Sequence, residues 1–72
     1  MSRRFPVCTA TEIVKVLRRH EFSLIAQTGS HQKWRNPKGR QVIVALHGKK
    51  LIPIGTLKSI IEGSGIDVDE FR

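Results

Sequence analysis

Apolar side chains recur along this chain with two periods, and the changes between them mark out its elements. Ala10, Ile13, Val14 and Leu17 fall on one stripe of a helix. Thr9 and Glu12 stand where a capping box needs them: a hydroxyl, then a carboxylate three residues on, each able to satisfy an orphaned backbone N–H. Lys15, Arg18 and Arg19 cluster on and near the outer side. His20 falls at the helix end, where a cation is favourable against the helix dipole. Beyond it the period drops to two. Phe22, Leu24 and Ala26 alternate with Ser23, Ile25 and Gln27, which predicts a strand. Thr28-Gly29-Ser30 marks a turn, and His31 to Asn36 a second strand. Pro37-Lys38-Gly39 has hairpin-loop chemistry, with proline preset for a type I turn and glycine for the left-handed position. Arg40 to His47, rich in β-branched residues, is a third strand.

After the basic loop Gly48-Lys49-Lys50 the helical period returns. Pro53 suits a first helical turn, Ile54, Leu57, Ile60 and Ile61 form a stripe, and Gly63 or Gly65 ends the helix. Asp67 and Glu70 can cap a short last turn that carries Val68 and Phe71 inward. The order α-β-β-β-α predicts an α+β fold, one αβββα domain over residues 1–72. In it two helices cover one face of a three-stranded antiparallel sheet and leave the other face open. A three-residue loop at 37–39 pairs Asn36 with Arg40, hence Trp34 with Val42 and His31 with Ala45. Trp34, Val42, Val44 and Leu46 then share the face that seeks burial. His31, Lys33 and Arg35 share the opposite face with Ile43, Ala45 and His47. A slip of one residue would reverse the assignment.

Length and charge narrow the class. A chain of 72 residues allows one domain. A domain of this size buries only about 60% of its unfolded surface, so its stability is marginal. Cys8 is the only cysteine, which excludes an intrachain disulfide and fits a reducing compartment. No apolar stretch approaches the roughly 20 residues of a membrane span. No apolar run follows the basic segment Met1 to Pro6, so a secretory leader is not expected either. The expected location is the cytoplasm. Thirteen Lys and Arg against six Asp and Glu give a net charge of +7. Four of the acids, Glu62, Asp67, Asp69 and Glu70, lie late. The stretch through Lys58 therefore holds twelve bases against Glu12 and Glu21 alone. Such a body attracts nucleic acid by releasing its condensed counterions. Arg3 and Arg4 add a basic N-terminal arm.

Several segments, in order, resemble the HicA toxins, small mRNA interferases encoded beside a HicB antitoxin. Pro6-Val7 with the helix through Leu17 is similar to the family's opening. Gly29-Ser30-His31 resembles its hallmark. Val44-Ala45-Leu46-His47-Gly48 is similar to its strand-end Val-Pro-x-His-Gly, and Gly55-Thr56-Leu57-Lys58-Ser59-Ile60 to its Gly-Thr-Leu helix start. Gly65-Ile66 through Glu70-Phe71 resembles its closing segment. Ala45 stands where the family usually has proline. Since proline there would end strand pairing, the third strand is expected to run further here. The polar stretch of many members is replaced by Leu51-Ile52. The resemblance implies a double-stranded-RNA-binding-like fold and ribonuclease activity with His31 as the catalytic histidine. It also implies a HicB-type antitoxin that covers the His31 face.

The residues suit that chemistry. An RNA 2′-OH can attack the adjacent phosphorus if one group removes its proton and another protonates the leaving 5′-oxygen. Histidine suits both tasks because its pKa lies near working pH. Negative charge builds up in the transition state and is stabilised by nearby cations. On this reading His31 is the general base or acid and Lys33 and Arg35 hold phosphates. Gly29 and Ser30 orient the histidine and offer donors, and Lys49 and Lys50 track the backbone. The plainer alternative for His31 is an exposed strand residue that binds RNA without turnover. His47 is either a second acid–base group or a strand-end residue that contacts phosphate. A zinc site from Cys8, His20, His31 and His47 matches no ligand spacing, so no metal and no cofactor are expected. Cys8 reads as a small buried residue, His20 as a helix-end residue and Trp34 as core rather than a base-stacking platform. Three other functions compete with a toxin ribonuclease. They are a non-enzymatic RNA-binding module, a pure protein-docking domain, and a DNA binder, for which neither helix shows a recognition face.

Overall fold

The computed structural model describes residues 5–72, so Arg3 and Arg4 lie outside the described residues. Helix α1 spans Ala10–Arg19, strands β1, β2 and β3 span Ser23–Thr28, His31–Arg35 and Gln41–Ala45, and helix α2 spans Ile54–Ser64. A 3-10 turn over Val68–Phe71 closes the chain. The sheet is antiparallel with the order β1-β2-β3. The α+β architecture read from the sequence is the one observed. No helix among the described residues is long and apolar enough to cross a membrane.

Local chemistry sets the ends of α1. Thr9 Oγ1 accepts from the Glu12 N–H at 3.3 Å and Glu12 Oε1 accepts from the Thr9 N–H at 2.9 Å, completing the capping box. At the far end the Glu21 N–H donates to Arg18 C=O at 3.2 Å and the Phe22 N–H to Leu17 C=O at 3.0 Å. This is a Schellman motif, with buried Phe22 and Leu17 making its apolar contact. Its left-handed position is held not by glycine but by Glu21, at φ 68°.

The two hairpins set the register. Gly29 at φ 56° lets Thr28 pair with His31 across a two-residue Gly29-Ser30 turn, one residue tighter than the sequence suggests. In the second hairpin the Asn36 N–H donates to Arg40 C=O at 3.0 Å, and Asn36 Oδ1 accepts from the Arg40 N–H at 2.8 Å. With that end pinned, Trp34 pairs with Val42 and His31 with Ala45, as the loop length predicts.

Trp34, Val42 and Val44 lie beneath the helices with Ile13, Leu17, Leu57, Ile60 and Ile61. Gly63 lets α2 approach the sheet, since a Cβ there would sit 3.2 Å from Val42 Cγ1. Three sequence expectations fail here. Val16 rather than Val14 is buried in α1; Val16 faces the segment where Pro6 and Phe71 line the same groove. Ile54 is 52% exposed. It is the first residue of α2, ahead of the buried stripe Leu57, Ile60 and Ile61. The third failure is β1. All six of its residues are exposed, and Phe22 is buried just ahead of the strand. The helices pack on β3 and over Trp34 of β2, and a bulge between Leu24 and Ala26 breaks the expected alternation.

A chain of amides links the core to the first hairpin. Trp34 Nε1 donates to Gln32 Oε1 at 3.3 Å, Gln32 Nε2 to Gln27 Oε1 at 3.2 Å, and Gln27 Nε2 to Gly29 C=O at 3.0 Å. The tight turn pairs Gln27 with Gln32, and this pairing makes the chain of bonds.

Four stability measurements by urea denaturation follow. Trp34→Ala costs about 3–5 kcal/mol. Leu24→Ala, although Leu24 pairs with Trp34, costs under about 1 kcal/mol because the residue is already exposed. Glu21→Gly raises stability by about 1 kcal/mol by relieving the left-handed conformation. Gln32→Ala leaves the buried Trp34 N–H without its acceptor and costs about 1–3 kcal/mol.

Candidate functional site

β2 is the central strand, and its pleat sends Gln32 and Trp34 toward the helices and His31, Lys33 and Arg35 away from them. Across the open face His31 is flanked by Thr28 and Ala45, Lys33 by Ala26 and Ile43, and Arg35 by Ser23 and Gln41. Successive members of the His31, Lys33, Arg35 row are about 7 Å apart along the strand. His31 and Arg35 are exposed and Lys33 is half-buried. Arg35 donates from Nε and Nη2 to Gln41 Oε1, at 3.2 and 2.7 Å. That contact steadies the guanidinium and leaves other donors of its fork open.

The Gly29-Ser30 turn and His31 lie at the end of the sheet where β3 runs out, two residues before His47. The Leu46 N–H donates to Ser30 C=O at 2.7 Å, adding one ladder bond beyond β3. The strand then stops, against the expectation that alanine in place of proline would prolong it to His47. β2 begins at His31 and its chain turns away at Ser30, so no backbone remains for residue 47 to pair with. Gly48 at φ 64° turns the chain, and the Lys50 N–H donates to His47 C=O at 3.3 Å. His47, Lys49 and Lys50 are exposed on this loop. His47 is therefore held by a turn and not, as the register predicted, by the pleat that aims His31.

Charge is segregated. The three strands and the loops between them contain no Asp or Glu; Glu12, Glu21, Glu62, Asp67, Asp69 and Glu70 lie on the helices, their ends and the closing turn. Among the described residues the ion pairs are His20 with Glu70, at 3.2 Å, and Arg72 with Asp69. Neither involves a cation of the open face. Three grooves, of about 630, 740 and 240 Å³, lie against the N-terminal segment, the second hairpin and the β3 edge, and none is lined by His31 or Lys33. An open row of cations on a strand suits an extended polyanion better than a small ligand, which needs a concave site.

The other chemistry-bearing residues are accounted for by packing. Trp34 is 1% exposed, with the Arg18 guanidinium 5.1 Å from its ring centre. Cys8 is buried and its Sγ donates to Phe71 C=O at 3.3 Å. Burial, and secondarily the Glu12 carboxylate, pushes its thiol pKa up, away from nucleophile chemistry. His20 caps α1, and its Nε2 lies 3.2 Å from Glu70 Oε1. Among the described residues no three His, Cys, Asp or Glu side chains gather as a metal site would require. Sequence reasoning missed Gln41, which holds Arg35, and Gln27 with Gln32, which brace the turn before His31. The tight Gly29-Ser30 hairpin was the available signal for the glutamine pair.

No curated protein matches the chain. A family model described as the HicA toxin of bacterial toxin-antitoxin matches residues 10–66, from the first residue of α1 past the end of α2. The match takes in both helices, all three strands and the turn bearing His31, and the chain belongs to the HicA family of bacterial toxins.

Proposed function

We propose that this toxin is a metal-independent endoribonuclease that cuts mRNA with His31 as its catalytic histidine. One observation carries the reading: His31 is exposed at the end of the central strand, in line with Lys33 and Arg35, on a face without acids. RNA laid along β2 places phosphates near Lys33 and Arg35, with Lys49 and Lys50 following the backbone beyond the sheet. His31 takes the 2′-OH proton or delivers one to the leaving 5′-oxygen, and His47, at the same end of the sheet, is the candidate for the other transfer. The oxygens of the transition state gain charge, which the cations and the Gly29-Ser30 backbone stabilise. The double-stranded-RNA-binding-like order of elements agrees with this use of the fold. The partner is a HicB-like antitoxin that covers the His31 face, and the site of action is the cytoplasm.

A second reading, an RNA-binding module without turnover, draws on a specific observation. Among the described residues no side chain hydrogen-bonds to the His31 ring, whereas a general base is commonly oriented by a further group.

One assay separates the two. In EDTA, His31→Ala lowers RNA cleavage by at least about 100-fold. Its RNA affinity changes little, and binding stays steeply salt-dependent. The double variant Lys33→Ala, Arg35→Ala weakens binding and flattens that salt dependence. Cleavage that survives His31→Ala at the wild-type rate overturns the assignment. RNA binding by wild type with no cleavage favours the second reading.

A further inference from the structure

The two edges of the sheet are unlike. β1 carries the bulge between Leu24 and Ala26, which interrupts its row of backbone groups and guards against strand pairing. β3 has no such guard. Its five residues, Gln41-Val42-Ile43-Val44-Ala45, pair without irregularity and include no charge and no proline, and among the described residues no strand lies on their outer side. Its free backbone groups can be identified. The Asn36 N–H bonds to Arg40 C=O at one end of the ladder and the Leu46 N–H to Ser30 C=O at the other. The hydrogen-bonded pairs between them are therefore Trp34 with Val42 and Gln32 with Val44. The N–H and C=O groups of Gln41, Ile43 and Ala45 point outward; α2 closes on the Gln41 carbonyl at Gly63, where a Cβ would lie 3.7 Å from it, so the open groups are those of Ile43 and Ala45. Beside this edge, on the helix side, runs the groove of about 240 Å³ lined by Val42, Ile43, Thr56, Ser59, Ile60 and Gly63. The Ile43 side chain is 46% exposed.

We propose that the outer edge of β3 accepts a fourth strand from a partner protein, apolar in its middle and acidic at its ends. The open backbone groups supply the ladder. The groove takes alternate side chains from one side of the incoming strand, and Ile43 meets those on the other. Charge selects the occupant. Lys38 and Arg40 stand just before β3, Lys49 and Lys50 just after it, and no acid lies between. Two copies of this chain, paired antiparallel about Ile43, would set Lys38 and Arg40 of one against Lys49 and Lys50 of the other. Each copy also carries a net charge of +7, so a second copy is disfavoured. The site stands whether or not the chain cleaves RNA. If it does, the added strand borders the His31 face and its acidic ends compete with RNA for the same cations.

The test is an NMR titration with a synthetic peptide that has an alternating Thr-Val centre and Glu at both ends. The Ile43 and Ala45 amides shift, and their hydrogen exchange slows by about tenfold or more. A peptide with the same centre and Lys at both ends binds more weakly. Ile43→Pro abolishes binding; its N–H faces outward, so the fold persists, as circular dichroism checks. Thr56→Trp leaves the strand untouched, fills the groove and also weakens binding. Two outcomes overturn the proposal: unchanged protection at Ile43 and Ala45 with saturating peptide, or a wild-type dimer in sedimentation that Ile43→Pro dissociates. RNA cleavage is scored separately, so failure here leaves the His31 assignment standing, and the reverse.

Discussion

The pairing of Trp34 with Val42 is the constraint on which the rest depends. Once those two side chains lie under the helices, the pleat commits every other residue of β2 and β3 to a side. His31, Lys33 and Arg35 must then face away from the core. A slip of one residue would bury three ionisable side chains and expose an indole, a cost far beyond what so small a domain can tolerate. The register is held twice, by the Asn36–Arg40 closure at one end and the Leu46–Ser30 bond at the other. The exposure of the candidate histidine is thus a consequence of how the hydrophobic core is paired.

Stability and candidate chemistry occupy opposite faces of one strand. The helix side is dry and apolar, with Ser64 the buried polar residue among the described ones, its hydroxyl bonded to Ile61 C=O and the Ile66 N–H. The other side is cationic and free of acids. The amide chain from Trp34 through Gln32 and Gln27 to Gly29 is a physical link between the two. It ties the turn that carries Ser30 and His31 to the most deeply packed aromatic ring. A loop that would otherwise fray is braced against the core, and the face it borders remains uncovered.

Such a face carries a liability. Cations without acidic partners and a smooth, uncharged edge strand invite association with whatever complements them. Under the proposed function that is an advantage, because the same surface features would let a protein partner compete with a polyanion. The bulge in β1 and the smooth β3 make the two edges unequal.

Much of the fold was legible in the chain. The capping box, the helical stripes, the three-residue loop and the β-branched third strand each rest on interactions a few residues apart, which sequence spacing reports directly. From the loop alone came the register and the shared face of His31, Lys33 and Arg35. What spacing could not report was extent. Whether Leu24, Ile54 and Val14 are buried depends on where two helices end over a sheet, and no local pattern encodes that footprint. β3 stops at Ala45 because its neighbour turns away at Ser30, a fact about β2 and not about residue 45. The glutamine brace, the left-handed Glu21 and the guarded β1 edge likewise arise from tertiary geometry. The sequence determined which residues face each other and how charge is distributed; the tertiary structure decided which of them are covered, because coverage depends on the relative lengths and positions of packed elements.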